Sequence, residues 1–242
     1  MVVNPSKSDS IFIGTSEQVK KTVTSGITMG GTMVPLSDKV KSLGVVFDQQ
    51  LTLEKHVKNV CRVCNFHIMG LRSLRPSLDN KTAETIGRSI VMSRLDYCNS
   101  LLADTSKKNI HRLQMVQNNL ARLVTRSEFR QSVKPILLAL HWLPIEQRID
   151  YKINMLMFKS RINLLPDYLS RELTVYVSTR PIRSNQQNTY VIPRVKNEIA
   201  KHSFFYTGAR LWNDLPNNLR SLTSLPIFKK QLKSHLFTIY LN

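Results

Sequence analysis

Acidic residues and glycine are scarce in this 242-residue chain. Lys and Arg number 35 against 16 Asp and Glu, which leaves a net charge of +19. No two aspartates stand side by side or one residue apart, whereas enzymes that use two divalent ions cluster carboxylates, because neighbouring ions share oxygen ligands. With only 8 glycines and no glycine-rich phosphate loop, a nucleotide-binding fold is also disfavoured. The sequence predicts no catalytic residue, no metal site and no cofactor.

Cysteine is equally rare, and long apolar runs are missing. The 3 cysteines are an odd number, which in a chain of this size favours reduced thiols and an intracellular protein. No stretch approaches the roughly 20 apolar residues of a membrane-spanning helix. The first residues lead directly into polar sequence without a signal peptide. We therefore expect an intracellular, soluble protein with no membrane partner, and its compartment stays open between nucleus and cytoplasm.

The first 50 residues favour short β-strands. The candidate strands are 11–13, 27–29, 32–34 and 43–47, with a loop over 35–38. Gly30-Gly31 lies between two of them and is typical of a two-residue hairpin turn, because glycine adopts positive φ at little cost. Strands this few and short make a weak sheet. They resemble the edge of a larger sheet, which suggests that the chain is truncated.

From residue 52 onward the apolar spacing becomes helical. The predicted helices run from Thr52 with Val57, Val60, Cys61, Cys64, Ile68 and Leu71 on one face; from Asp79 or Asn80 with Ala83, Ile86, Ile90 and Tyr97 inward; over 106–126; over 133–140; from 143 with Ile149, Ile153, Leu156 and Met157 inward; and from Ser224 to the C-terminus. Residues 174–200 are polar and predict a loop. In the last helix we expect Lys230 and Lys233 to face outward.

The helix over 106–126 has two contrasting faces. Its apolar face comprises Ile110, Leu113, Val116, Leu120, Leu123 and Val124, with N-cap oxygens available from Asp104, Thr105 and Ser106. Its opposite side carries one stripe of cations, Lys108, Arg112, Arg122 and Arg126. The stripe fits either an ordinary solvated face or a surface for a polyanion. The pattern alone leaves both interpretations open.

Two further motifs have a structural and a functional interpretation. Cys61, Cys64 and His67 have the spacing of half a zinc site, but they share an apolar helical face, which favours two buried thiols. Trp142 and Trp212 have the chemistry to stack on nucleic-acid bases, but each stands among leucines. Core positions are therefore the favoured interpretation for both tryptophans.

A series of short blocks resembles one family of proteins. In chain order the blocks are Asn4-Pro5-x-Lys7, Leu43-Gly44-Val45-x-x-Asp48, Leu51-Thr52-x-x-x-His56, Leu74-Arg75-Pro76, Ser93-Arg94-Leu95-Asp96-Tyr97-Cys98-Asn99, Arg112-Leu113-Gln114-x-Val116-Gln117-Asn118, Leu140-His141-Trp142-Leu143-Pro144, Gln147-Arg148-Ile149-Asp150, Tyr168-Leu169, Arg210-Leu211-Trp212-Asn213-x-Leu215-Pro216 and Phe228-Lys229-x-x-Leu232-Lys233-x-x-Leu236-Phe237. Together they resemble the carboxyl-terminal part of a LINE-type, non-LTR retrotransposon reverse transcriptase.

The resemblance implies an α+β, mostly α fold with three segments. Residues 1–50 would be palm-edge strands with a primer-grip-like hairpin, 51–172 a helical thumb-like bundle, and 173–242 a loop and a C-terminal extension ending in an amphipathic helix. Lys7 matches a lysine near the incoming nucleotide. The implied partners are RNA and DNA in a template–primer duplex. The expected contacts are Lys7, Lys108, Arg112, Arg122, Arg126, Lys230 and Lys233.

The resemblance also implies that the catalytic Tyr-Ala-Asp-Asp turn would precede Met1. The expected function is therefore that of a truncated, non-catalytic reverse transcriptase remnant that binds nucleic-acid backbones without sequence preference. Two alternatives stay open. The chain is either a fragment of an active RNA-directed DNA polymerase whose catalytic part is encoded upstream, or the product of a decayed element with no selected function.

Overall fold

The computed structural model describes residues 4–177 and 188–241. All strands of its described residues lie within the first 50, and an isolated antiparallel bridge joins Val175 to Tyr190. The strands are β1 Ser10–Ile11, β2 Gly26–Met29, β3 Thr32–Ser37, β4 Lys39–Ser42 and β5 Val45–Asp48. One sheet has the order β1-β3-β2, with β1 parallel and β2 antiparallel to β3, and β4 and β5 form a separate antiparallel pair. The predicted class, α+β and mostly α, is confirmed.

Helices make up most of the remaining described chain. They are α1 Ser16–Lys21, α2 Glu54–Leu74, α3 Asn80–Gly87, α4 Ser93–Asp96, α5 Lys107–Thr125, α6 Val133–Ala139, α7 Ile145–Arg161, α8 Asp167–Ser170, α9 Glu198–Lys201, α10 Phe204–Asn213, α11 Asn217–Arg220 and α12 Leu225–Leu241. A π-helical turn, Arg88–Met92, joins α3 to α4. Short 3-10 turns occupy Pro5–Lys7, Arg75–Ser77 and Asn99–Leu102.

Two hairpin turns organise the strands. Gly30 and Gly31 have φ angles of 57° and 81° and connect β2 to β3, as predicted. Leu43 and Gly44 connect β4 to β5 with φ angles of 46° and 85°. The prediction that 43 and 44 begin a strand is wrong, because two consecutive positive φ angles form a tight turn. The predicted loop over 35–38 is also wrong in part, since β3 continues to Ser37.

The connection from β5 into α2 depends on Asp48. Its carboxylate accepts hydrogen bonds from the backbone N–H groups of Thr52, at 3.0 Å, and Leu53, at 2.8 Å. Leu53 has a φ of 57° and occupies the N-cap position, so the predicted cap at Thr52 is one residue early. The caps at Asp79 and Ser106 are confirmed, because each side chain accepts a hydrogen bond from an N–H in the first turn of its helix.

Helices α2 and α5 run side by side in the same direction. Glu54 and Arg112 are paired near the beginnings of the two helices, and Arg75 binds the Leu123 carbonyl near their ends. Helix α3 crosses α5 closely at Gly87, where an added Cβ would lie 2.9 Å from Leu120 Cδ1. The apolar face of α5 is thereby buried among α2, α3, α6 and α7.

An aromatic cluster joins α7, α10 and α12. The rings of Phe158 and Phe228 stack with centroids 4.2 Å apart, and Trp212 lies 5.8 Å from Phe228. Trp212 is fully buried and donates its indole N–H to the Asn188 carbonyl at 2.7 Å. Trp142 is buried as well and points its indole N–H at Glu84 Oε1, 3.4 Å away. Core positions are therefore confirmed for both tryptophans.

Two sequence blocks tie distant elements together. In the block 93–99, Tyr97 donates its hydroxyl to the Leu43 carbonyl at 2.6 Å, so it holds the β4–β5 turn. The prediction that Tyr97 faces inward is wrong, because 53% of its surface is exposed. In α5, Gln114 accepts the N–H of Ile145 at 2.9 Å, and Gln117 donates to the Leu143 carbonyl at 2.9 Å. These amides fix the beginning of α7.

Candidate nucleic-acid interface

The outer sides of α2 and α5 form one basic surface, which we call the α2–α5 face. Residues that recur every three or four positions share one side of a helix. The cations on this side are Lys58, Arg62 and Arg72 of α2, Lys108, Arg112 and Arg122 of α5, and Arg126 just after the last residue of α5. Because the helices are parallel neighbours, two rows of positive charge lie next to each other.

At the N-terminal end of this face, one carboxylate pairs with several cations. Glu54 Oε1 lies 2.9 Å from Arg112 Nη1 and 3.5 Å from Lys108 Nζ. Lys58, one turn along α2, is 3.4 Å from the same oxygen. The pKa of Glu54 is lowered to about 2, chiefly by the hydrogen bond from Arg112 and next by the hydrogen bond from Lys58. The carboxylate therefore stays ionised and cancels part of the local positive charge.

At the C-terminal end, no carboxylate of the described residues forms an ion pair with the cations, although the charge of Asp79 acts on Arg75 from a distance. A cavity of about 300 Å³ lies there, and four arginines line it, Arg72, Arg75, Arg122 and Arg126. The other lining residues are Asn119, Leu123, Ser127 and Phe129, so the lining contains no Asp or Glu. We call this group the arginine cluster. Such a concentration of guanidinium groups suits a phosphate, which accepts their hydrogen bonds.

Arg75 and Arg126 use backbone carbonyls as partners. Arg75 is only 5% exposed and donates to the carbonyls of Leu78, Leu123 and Val124 at 2.6, 2.9 and 2.7 Å. Arg126 Nη2 donates in turn to the carbonyls of Arg75 and Leu78, both at 3.2 Å. Carbonyls satisfy the donors without carrying a formal charge. The positive charge of the cluster is thus held in place, and only Arg75 is partly compensated among the described residues, by the nearby charge of Asp79.

Arg122 carries an unpaired donor in the cluster. Its guanidinium lies over the Phe129 ring, 5.2 Å from the centroid, and Nη2 donates to the Gln131 carbonyl at 3.2 Å. Its Nε is buried and finds no acceptor among the residues that the structure describes. A buried donor without a partner is unfavourable by about 1–3 kcal/mol. An anion bound in the cavity would supply the missing acceptor.

Apolar side chains are exposed on α2 beside its row of cations. Phe66 is 74% exposed and Met69 is 68% exposed, and both stand between Arg62 and Arg72 along the helix. An exposed aromatic ring flanked by cations is a combination that contacts both bases and phosphates of a nucleic acid. The α2–α5 face is therefore chemically suited to a polynucleotide.

The seven residues selected from the sequence do not form one surface. Lys108, Arg112, Arg122 and Arg126 do share the α2–α5 face. Lys7 is exposed in the Pro5–Lys7 turn, which packs on β3. Lys230 is exposed on α12 in a groove with Pro216 and His235. Lys233 is half-buried in a different cleft, so the prediction that it faces outward is wrong, and burial is the main cause of its lowered pKa.

Sequence reasoning missed the contribution of α2. Lys58, Arg62 and Arg72 recur at helical spacing, and this signal was present in the sequence. Arg75 carried no such signal, because its role depends on carbonyls that are 48 and 49 residues further along the chain. Only the packing of α2 against α5 brings these groups together.

Cys61 and Cys64, which have the spacing of half a zinc site, belong to no group of three or more metal-binding side chains in the described ranges, 4–177 and 188–241. Cys64 is fully buried, and this burial is the largest cause of a pKa raised to about 12. The pKa of Cys61 is raised by partial burial as well. Both side chains therefore remain thiols at neutral pH, which disfavours the thiolate form that binds metals.

Comparison with known proteins supports a relationship to retrotransposon reverse transcriptases. The chain is 27% identical over 132 residues to a protein of Drosophila melanogaster described as "Probable RNA-directed DNA polymerase from transposon X-element". The match covers 52% of this chain and 14% of that relative. No family model and no solved structure matches the chain. Within the described residues, no helix is both long and apolar enough to cross a membrane.

Proposed function

We propose that the chain binds RNA and DNA through the backbone phosphates, without sequence preference, by its α2–α5 face. The observation that carries the proposal is the arginine cluster, in which the charges of Arg72, Arg75, Arg122 and Arg126 meet no carboxylate among the lining residues. The net charge of +19 supplies long-range attraction to any polyanion. The exposed Phe66 and Met69 add contact with sugars and bases.

The ligand we expect is a template–primer duplex of the kind that a reverse transcriptase extends. The similarity to a transposon polymerase supports this choice of ligand. In this proposal, residues 51–172 act as a thumb-like bundle against the duplex, residues 1–50 are the edge of a palm, and 173–242 are a C-terminal extension. The chain acts as a binding module of a retroelement polymerase and performs no nucleotide addition alone.

The proposal is tested by titrating the purified chain into a labelled RNA–DNA hybrid duplex at several salt concentrations. If the chain neutralises about six phosphates, its affinity for the hybrid should fall roughly 10³-fold between 50 and 200 mM salt. Two hybrids of equal length and unrelated sequence should bind equally well. A salt-independent affinity, or a strong preference for one sequence, would contradict backbone binding.

A second candidate function is RNA-directed DNA polymerisation as part of a longer protein. The similarity to the transposon polymerase favours it, since the match spans only 14% of that relative. Sequencing the transcript upstream of the codon for Met1 tests it, because an in-frame Tyr-Ala-Asp-Asp turn would supply the catalytic carboxylates. The chain alone, given template–primer, deoxynucleotides and Mg²⁺, should incorporate nothing. Incorporation would overturn the non-catalytic assignment.

A further inference from the structure

A second cleft, of about 710 Å³, is formed by elements that do not belong to the α2–α5 face. Its walls come from the π-helical turn and α4, from the connection between α6 and α7, from α7 and from α12. The lining includes Glu84, Arg88, Asp96, Asn99, Arg148 and Lys233. No residue of α2 or α5 belongs to this lining.

Sequence blocks that are far apart in the chain converge on this cleft. Ser93, Asp96 and Asn99 belong to the block 93–99, and 140–143 belong to the block around Trp142. Arg148 and Lys233 come from two further blocks. The π-helical turn adds Arg88, and such turns are frequent at functional sites because they reorient side chains. The proposed duplex binding uses none of these residues.

The cleft carries more positive than negative charge. Its acids are already engaged, since Asp96 Oδ1 accepts from Arg148 Nε at 2.7 Å, and Glu84 pairs with Arg88 at 3.6 Å. Lys233 has no ion-pair partner among the described residues, although its Nζ lies 5.9 Å from the Phe237 ring centroid. Burial, then Arg148 and Arg88, lower the pKa of Lys233. A ligand phosphate would place a negative charge among these cations.

Asn99, one of the lining residues, carries a buried acceptor without a donor. Asn99 is only 4% exposed, and its Oδ1 has no hydrogen-bond partner in the described part of the chain. A buried carbonyl oxygen left unpaired is unfavourable, because it has given up its hydrogen bonds to water. An N–H group of a ligand, or an O–H group of a water molecule, would provide the missing donor to Asn99 Oδ1. A nucleobase carries such N–H groups, and a phosphate alone does not.

We infer that this cleft binds a single nucleotide, with its phosphate on Lys233 and Arg88 and a base N–H on Asn99 Oδ1. The cleft volume lies within the roughly 300–1,000 Å³ of small-molecule sites. The choice of ligand rests on the proposed function: because the chain is proposed to bind nucleic acid, we expect the nucleotide to be an unpaired one within a bound strand. A free nucleotide has the same chemistry.

The test measures binding of ribonucleoside 5′-monophosphates to the full chain by isothermal titration calorimetry. Adenosine, which lacks the phosphate, and ribose 5-phosphate, which lacks the base, should both bind more weakly than AMP. Lys233→Gln should weaken AMP binding by about tenfold, because it removes a charged hydrogen-bond donor. Lys233→Arg retains the positive charge and should restore most of the affinity.

Lys230→Gln is the matched control, since Lys230 is exposed elsewhere on the same helix. It should leave AMP binding unchanged, and equal losses in both glutamine variants would overturn the inference. If a short single-stranded oligonucleotide competes with AMP, the ligand of the cleft is a nucleotide within a strand. If AMP binds and the oligonucleotide does not compete, the ligand is a free nucleotide.

The two proposals fail in different ways. If the chain binds the hybrid duplex but neither AMP nor a single strand, the nucleotide cleft is wrong and the duplex face stands. If AMP binds and the duplex does not, the duplex face is wrong and the nucleotide cleft stands. Arg122→Gln, which alters only the α2–α5 face, should weaken duplex binding and leave AMP binding intact.

Discussion

The two ends of the α2–α5 face carry similar cations but differ in what surrounds them. At the N-terminal end, Lys108 and Arg112 share the carboxylate of Glu54. At the C-terminal end, Arg122 and Arg126 find carbonyls and an aromatic ring instead. A carboxylate cancels a unit of charge, and a carbonyl orients a guanidinium without cancelling it. Equal numbers of cations in the sequence therefore become surfaces with unequal attraction for a polyanion.

The largest expected effect comes from removing the residue that assembles the C-terminal end. Arg75→Met keeps much of the side-chain volume but leaves the carbonyls of Leu78, Leu123 and Val124 without their donor. We expect the free energy of unfolding to fall by about 3 kcal/mol, because buried acceptors lose charged hydrogen bonds. Urea denaturation followed by circular dichroism measures the change.

Arg72→Met is the control for this variant, since Arg72 is an exposed arginine in the same helix. It should change the free energy of unfolding by less than about 0.5 kcal/mol, as is usual for surface positions. Equal destabilisation by the two variants would show that Arg75 has no special role in joining α2 to α5.

The next effect distinguishes the two ends by affinity. Arg122→Gln with Arg126→Gln should weaken binding of the RNA–DNA hybrid by about tenfold and make the salt dependence shallower by about two phosphate contacts. Lys108→Gln with Arg112→Gln should weaken it by less than about threefold, because Glu54 already neutralises part of their charge. Fluorescence anisotropy at two salt concentrations measures both quantities.

Lys20→Gln with Lys21→Gln is the matched control, because it removes the same charge from the exposed surface of α1. This control separates a local contact from the general loss of positive charge. Similar losses from all three double variants would mean that net charge alone attracts the nucleic acid. Melting curves of each variant establish that it is folded.

The smallest effect tests the carboxylate that makes the two ends differ. Glu54→Gln should raise affinity for the hybrid by about two- to threefold at pH 7, since Arg112 and Lys108 regain uncompensated charge. No change in affinity would show that Glu54 does not limit the N-terminal end.

The same variant has a defined pH dependence. The pKa of Glu54 is lowered from 4.5 to about 2, chiefly by its hydrogen bond from Arg112. The ion pairs therefore stabilise the folded chain above about pH 4.5, and this stabilisation is lost as the pH falls towards 2. The difference in melting temperature between the parent chain and Glu54→Gln should shrink over that window. A constant difference would contradict the assigned pKa.

Local sequence patterns predicted the helices better than the connections between them. The interior face of α5 and its cap at Ser106 follow from residues three or four positions apart, and both are confirmed. The beginning of α2 was placed one residue early because it depends on Asp48, which belongs to the preceding strand. Tyr97 was placed inside because its binding partner, the Leu43 carbonyl, is 54 residues away.

The candidate sites show the same division. Lys108, Arg112, Arg122 and Arg126 were recognised as one stripe because helical periodicity is local. Lys230 and Lys233 share helical periodicity as well, yet they line different cavities, because α12 packs against both α7 and α11. The nucleotide cleft had no counterpart in the sequence patterns. Its walls come from blocks between residues 84 and 233 that meet only in the folded chain.

Composition and periodicity alone established a basic, mostly helical protein with a cationic stripe on α5, since these properties depend on residue type and near neighbours. Packing decided which of those cations keep an uncompensated charge. Glu54 is 58 residues from Arg112, and Arg75 is 49 residues from Val124, the residue just before the end of α5. Electrostatic pairing depends on distance in space. For the α2–α5 face, that distance is set by two helices lying side by side.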